Sequence, residues 1–204
     1  FREWGYTPER NNLMINQVRL LFGEVPTKLD DFIFASQSVQ AEAMKFFVEI
    51  YRGNKFAPKT GILWWNIRDG WPLISDAVVD YYFSPKMAYW FLRNVQRNVC
   101  VLVNDAADGS HPLVATNDTR SAANGTNRVS DVATGREIFR GSYTVGENAR
   151  AEIARLPEMK GQGILLIEYT TPEGSFKNHY LYGNAPFKLD EYRKLLRKTN
   201  IYDL

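Results

Sequence analysis

Apolar residues recur near helical spacing from Leu29 to Arg52, at Phe32, Ala35, Val39, Ala43, Phe46, Phe47 and Ile50. Asp30 or Asp31 can cap the start of this helix, and Gly53-Asn54 supplies a left-handed stop. Residues 1–28 read as a loop region with one short amphipathic stretch, Leu13–Phe22. The run Ile62–Trp65 reads as a strand buried on both faces, within Gly61–Ile67, and Asp69-Gly70-Trp71-Pro72 closes it with a turn. A second helix is predicted over Ser84–Arg97, with Ser84 as cap, Pro85 in the first turn and a buried stripe of Met87, Trp90, Phe91 and Val95. Beyond Arg97 the period changes to two. Short runs at Val99–Val103, Leu113–Thr116, Arg128–Val132, Ile138–Tyr143, Ala149–Ile153, Ile164–Tyr169 and His179–Tyr182 are separated by Gly, Asn and Asp turns. That pattern predicts an immunoglobulin-like sandwich folding as its own unit. The last stretch, Leu189–Thr199, is a basic amphipathic helix expected to dock on the sandwich.

Composition narrows the function classes. With 204 residues, 45% hydrophobic and 24% charged, the chain can bury a core. A formal charge of +2 gives no electrostatic case for nucleic acid. No apolar segment reaches the about 18 residues needed to span a membrane. The single cysteine, Cys100, excludes an internal disulfide framework. His111 and His179 are isolated from it and from one another, so no metal site is predicted. Asn117-Asp118-Thr119 and Asn124-Gly125-Thr126 match glycosylation acceptors. Glu42 and Glu49 lie on a helix body and read as solvated or salt-bridged charges. The chain starts at Phe1, which implies a piece of something longer.

The candidate chemistry sits at Trp64-Trp65-Asn66-Ile67-Arg68-Asp69-Gly70-Trp71. Flat indoles stack on the C–H faces of sugars, while Asn, Arg and Asp hydrogen-bond ring hydroxyls. The same residues are also compatible with an aromatic core that has Arg68 and Asp69 paired at its rim.

The stretch Gly61-Ile62-Leu63-Trp64-Trp65-Asn66-Ile67-Arg68-Asp69-Gly70-Trp71-Pro72 continues through Ser75, Asp80-Tyr81-Tyr82 and Lys86. It resembles the signature near the end of the catalytic barrel in glycoside hydrolase family 2, in particular its β-mannosidase-like and related exo-acting members. The family pattern is Gly-x-Leu-(Tyr/Trp)-Trp-(Gln/Asn)-Leu-Asn-Asp-x-Trp-Pro, then a Ser, an Asp-Tyr-Tyr and a Lys at the same ungapped spacing. Arg68 stands where many members have Asn. Leu29-Asp30-Asp31-Phe32, Ser36-Gln37 and Gln40-Ala41-Glu42-Ala43 resemble the family's helix after the seventh strand.

The resemblance implies an α/β plus all-β chain: the C-terminal end of a (β/α)8 TIM barrel over residues 1–97, then an immunoglobulin-like β-sandwich with a C-terminal helix over 98–204. Gly61–Ile67 would be the eighth strand. It implies a retaining exo-acting β-glycosidase that hydrolyses terminal β-linked sugars, needs no cofactor and no metal, and is periplasmic or secreted. Its partners would be an oligosaccharide or glycoside substrate and the missing N-terminal part of the same enzyme, with no nucleic acid and no membrane. The family takes its acid from an Asn-Glu pair at the fourth strand, and no Asn-Glu dipeptide occurs in this sequence. Glu3 echoes the family's nucleophile motif, but nothing strand-like precedes it, so no catalytic residue is assigned to this chain. Substrate-binding residues would be Trp65, which stacks on or flanks the terminal sugar; Asn66, Arg68 and Asp69, which contact its hydroxyls or orient neighbours; and Trp71, which closes the rim. Asp80 and Lys86 would brace the loop. A non-catalytic carbohydrate-binding module is the alternative reading.

Overall fold

The computed structural model describes residues 8–56, 60–106 and 108–202. Glu3 and the Trp4-Gly5-Tyr6 that follows it lie outside the described residues. The first half of the chain is helical: α1 (Pro8–Phe22), α2 (Leu29–Gly53) and α3 (Met87–Val95). In α2 the residue before the first turn is Lys28, whose side chain makes no capping bond; Asp30 and Asp31 lie inside the first turn, where the helix dipole favours negative charge. The end of α2 is not left-handed. Asn54 sits at φ −113°, and its side-chain amide donates back to the Ile50 carbonyl at 2.9 Å. Gly53 serves a different need, since a Cβ there would collide with the side chain of Asn104. α3 begins later than the sequence predicts, because Ser84 and Pro85 belong to a turn in which the Asp80 carboxylate accepts the Ser84 N–H at 2.8 Å.

Gly61–Ile67 does not form a strand, which corrects the sequence expectation. A strand needs a hydrogen-bonding neighbour along its length. Among the described residues the segment meets one only at its end, where Val78 and Val79 N–H donate to the Asn66 and Ile67 carbonyls at 3.2 and 2.9 Å. An isolated parallel bridge, Arg68 to Val79, completes that contact. The alternation of a strand persists without its ladder. Ile62 and Trp64 pack against the helical core, whereas Leu63, Trp65 and Ile67 are exposed.

The second half is a β-sandwich. β1 (Val99–Val103), β2 (Ser110–Asn117) and β5 (Arg150–Pro157) form one sheet in the order β1-β2-β5. β3 (Ala123–Asp131), β4 (Glu137–Val145), β6 (Gly163–Thr171) and β7 (Gly174–Tyr182) form the other in the order β4-β3-β6-β7, and every pairing is antiparallel. Val101, Leu113 and Ala115 of the first sheet and Val129, Leu165 and Ile167 of the second fill the interior. Asn117, one of the two glycosylation acceptors, is fully buried, with its amide donating to the carbonyls of Ser121 and Gly146.

The final helix, α4 (Leu189–Lys198), returns to the helical layer instead of resting on the sandwich alone. Tyr192 meets Phe22 edge to face at 5.5 Å, and Arg193 lies over Phe34 at 4.4 Å while pairing with Asp31 at 2.7 Å. α1 and α2 offer this helix both aromatic area and two acidic partners, which explains the preference.

The two layers are joined by buried polar groups. His179 of β7 is fully buried; its Nε2 lies 2.9 Å from Glu42 Oε1 of α2 and its Nδ1 3.0 Å from the Tyr202 hydroxyl. Tyr192 donates to the same Glu42 oxygen at 2.7 Å. Two helical turns on, Glu49 pairs with Lys45 at 2.6 Å and accepts from Asn178 of β7 at 2.7 Å. Neither glutamate is solvated. Burial pushes the Glu42 carboxyl up, but His179, Lys45 and the hydrogen bonds from His179 and Tyr192 outweigh it, so its pKa lies below the usual 4.5.

This seam makes two measurable demands. Glu42→Ala, which strands His179 and Tyr192 without their acceptor, should cost about 3 to 5 kcal/mol of stability in chemical denaturation. Because the Glu42 pKa is lowered on folding, its contribution is present above pH 4.5 and is lost as pH falls below that value. Melting temperature should therefore fall on acidification below pH 4.5, and Glu42→Gln should flatten that dependence. A single transition followed at both helical and strand signals is expected, since α4 and Tyr202 tie the end of the chain to its first helices.

Candidate functional site

The segment from Gly61 to Phe83 presents large side chains to solvent at unusual density. Trp65 is 81% exposed, Trp71 73% and Leu63 fully so, with Ile67, Tyr82 and Phe83 also open. An aromatic and aliphatic face of this kind marks a surface that contacts something else. The backbone places it: α2 and α3 hold Ile62 and Trp64 on one side, so the alternating residues project outward. The Trp65–Asn66 peptide is cis.

Asp69 anchors the turn beneath this face. Its carboxylate is only 3% exposed. One oxygen accepts from the Ser75 hydroxyl and the other from Lys86 Nζ at 2.9 Å, and Lys86 also reaches the Ser75 carbonyl at 3.3 Å. The Ser75 hydroxyl in turn accepts the Ala77 N–H at 3.0 Å. Asp69 is thus committed internally, to Ser75 and Lys86, and holds the loop in place. Lys86 and Asp80 brace the loop, as the resemblance implies.

Of the other sequence-predicted residues, Asn66 is half-buried, and among the described residues no donor reaches its side-chain oxygen. That oxygen is itself closed off from solvent, a buried acceptor without a partner among the described residues, in the segment that exposes Trp65 and Trp71. Arg68 is exposed and does not pair with Asp69; its guanidinium lies 4.2 Å over the ring of Phe83. Phe83 is the residue that sequence reasoning missed. It follows Asp80-Tyr81-Tyr82 directly, but its backbone sits at φ +67°, a conformation set by the turn and not legible in an aromatic triplet.

Two concavities lie elsewhere. One of about 520 Å³ between α1, α2 and β7 is lined by Glu42, Lys45 and Glu49, which satisfy one another or β7. Another of about 560 Å³ on the four-stranded sheet carries Arg128, Arg140 and Glu168, closed into ion pairs with one another and with Glu137. The second is also lined by Asn127 and Tyr169, whose buried polar atoms lack partners among the described residues, but neither is lined by an exposed tryptophan. Among the described residues no cluster of His, Cys, Asp or Glu could hold a metal ion, and no helix is long and apolar enough to cross a membrane.

No protein-family profile matches the chain. Over 77 residues it is 39% identical to β-mannosidase B of Aspergillus niger and 35% identical to β-mannosidase B of Aspergillus oryzae. Each match covers 37% of this chain and 9% of the relative. In fold it is similar to the β-D-mannosidase of Dictyoglomus thermophilum, with a TM-score of 0.75 and 21% identity over 88% of this chain and 23% of that one. The exo-chitosanase CsxA of Amycolatopsis orientalis follows at a TM-score of 0.64 and 18% identity, over 83% of this chain and 21% of that one. The chain therefore spans a small fraction of these proteins, and it is similar to the C-terminal part of a glycoside hydrolase of the family 2 type.

The Asp69 brace can be tested by itself. Asp69→Ala leaves a largely buried Lys86 without its partner and should cost about 3 kcal/mol. Amide exchange at Val78 and Val79 should quicken, because their bonds to Asn66 and Ile67 depend on the held turn.

Proposed function

We propose that this chain is the C-terminal part of a retaining, exo-acting β-glycosidase that hydrolyses terminal β-linked sugars, with a β-mannoside as the first substrate to try. Residues 1–97 would complete the catalytic barrel and residues from 98 would form its immunoglobulin-like companion domain. The observation that carries this reading is the alternation at the motif: Trp64 packs against the helical core while Trp65 faces outward in a segment that also exposes Trp71. The sequence and fold similarities to β-mannosidases supply the reaction class.

Retaining hydrolysis needs an acid/base and a nucleophile carboxylate about 5 to 5.5 Å apart. Neither is assigned to this chain, which acts as a wall of the sugar subsite. The Trp65 ring stacks on or flanks the terminal sugar, whose C–H face is apolar enough to prefer an indole to water. Asn66 and Arg68 hydrogen-bond its hydroxyls, Trp71 closes the rim, and Asp69 keeps the loop that carries them at a fixed distance from the sugar. Such positioning matters because a displacement of about 1 Å can cost a hundredfold in rate. The other participants are an oligosaccharide or glycoside and the preceding part of the same enzyme.

In the full-length protein, Trp65→Ala should lower turnover of a β-glycoside by roughly a hundredfold with little change in melting temperature. Trp64→Ala should instead cost about 2 to 3 kcal/mol of stability, less than a fully buried ring because Trp64 is only half-buried. Measuring turnover and melting for both variants side by side checks this. Full activity in both would overturn the subsite reading, and loss of folding in Trp65→Ala with an inactive but folded Trp64→Ala would reverse the two faces.

A further inference from the structure

We propose that Arg68, held over the Phe83 ring in the segment that exposes Trp65 and Trp71, recognises an oxyanion on the sugar, so that the glycoside accepted carries a carboxylate or a sulfate ester. This rests on the reading of the segment as a sugar subsite and adds the chemical class of the sugar.

Three observations lead there. First, Arg68 is a full charge without a counter-ion. Among the described residues no carboxylate lies within 4.0 Å of it. Its neighbour Asp69 is taken by Ser75 and Lys86, and Asp80 is taken by the Ser84 N–H. Second, the guanidinium is placed rather than free, with its carbon 4.2 Å from the Phe83 ring centre. Stacking covers one face of the guanidinium and leaves its N–H edge open in the plane. Third, the structure spends conformational energy on that platform. Phe83 holds φ +67°, a costly value for a bulky residue. It is kept there by its own N–H bond to the Asp80 carbonyl at 3.1 Å, with the Asp80 N–H donating to the Ser84 carbonyl at 3.0 Å.

A neutral hydroxyl needs only one donor or acceptor, which Asn66 can provide. A planar, permanently charged fork fits two oxygens of one anionic group and binds them through charge-assisted hydrogen bonds. Loss of such bonds to a charged group corresponds to about a 10- to 100-fold loss in affinity.

The test uses the full-length parent protein and p-nitrophenyl β-D-mannopyranoside, its C6-carboxylate and its 6-O-sulfate, beside the neutral β-glucoside and β-galactoside. The expected result is a higher kcat/KM for one of the charged glycosides than for its neutral counterpart, and which one tells carboxylate from sulfate. Arg68→Gln should lower the charged-to-neutral ratio of kcat/KM by about 10- to 100-fold. Arg68→Lys keeps the charge but loses the fork and should lower the ratio less, while Phe83→Leu should raise KM for the charged glycoside. Melting curves of the variants separate these effects from misfolding, and the ratio within one variant is insensitive to the amount of folded protein. The proposal is overturned if wild type prefers the neutral glycosides. It is equally overturned if the ratio is unmoved in Arg68→Gln, the outcome expected when Arg68 pairs with a carboxylate elsewhere in the parent protein. If no glycoside of either charge is cleaved, the glycosidase reading itself falls.

Discussion

The buried seam between α2 and β7 is the contact on which the rest of the arrangement depends. Two glutamates two helical turns apart, Glu42 and Glu49, face His179 and Asn178 on one strand, and Tyr192 and Tyr202 close the group from the end of the chain. Burying such groups is costly unless each finds a partner, and here the partners come from segments more than a hundred residues apart. An apolar helix face could slide along a sheet with little penalty. A face carrying two carboxylates that must meet a histidine and an amide has one register. The aromatic packing follows it: Phe91 stacks on Tyr202 at 4.2 Å and meets His179 edge to face at 5.1 Å.

Fixing α2 fixes what leans on it. α3 packs against α2, with the Gln37 side chain accepting the Met87 N–H at 2.9 Å, and the pair forms the floor under Ile62 and Trp64. Once those two rings and chains are seated, the alternating residues have nowhere to go but outward. The Asp69–Lys86–Ser75 cluster then ties the following turn to the start of α3. A surface of exposed indoles would be a liability in a freely moving loop. Seated on a packed face and pinned at a buried carboxylate, it is a defined platform.

The likeness in fold extends over most of the chain, helices and sandwich together, and the chain makes up about a fifth to a quarter of each solved protein compared. Among the described residues the sandwich carries no comparable exposed aromatic cluster, and its inward residues are committed to the core.

The sequence alone was enough for the features governed by local periodicity. Period-two runs in the second half foretold all seven strands, and the helical spacing of Phe32 to Ile50 foretold α2, because side-chain alternation follows from backbone geometry. The motif at Trp64–Trp71 marked the candidate site through its residue types and spacing. Tertiary structure decided what depends on partners distant in the chain. Gly61–Ile67 has strand composition but no ladder, because a ladder belongs to two segments and not to one. Glu42 and Glu49 read as solvated or salt-bridged charges on a helix; the second alternative holds, Glu49 buried against Lys45 and Asn178 and Glu42 half-buried against His179, because β7 packs on that face. α4 reads as a basic amphipathic helix in either setting, and only the aromatic row of α1 and α2 with Asp31 drew it there. Asp69 and Arg68 are adjacent charges that sequence alone would pair; a strand-like backbone turns successive side chains apart, so one enters the protein to meet Lys86 and the other leaves it to lie on Phe83.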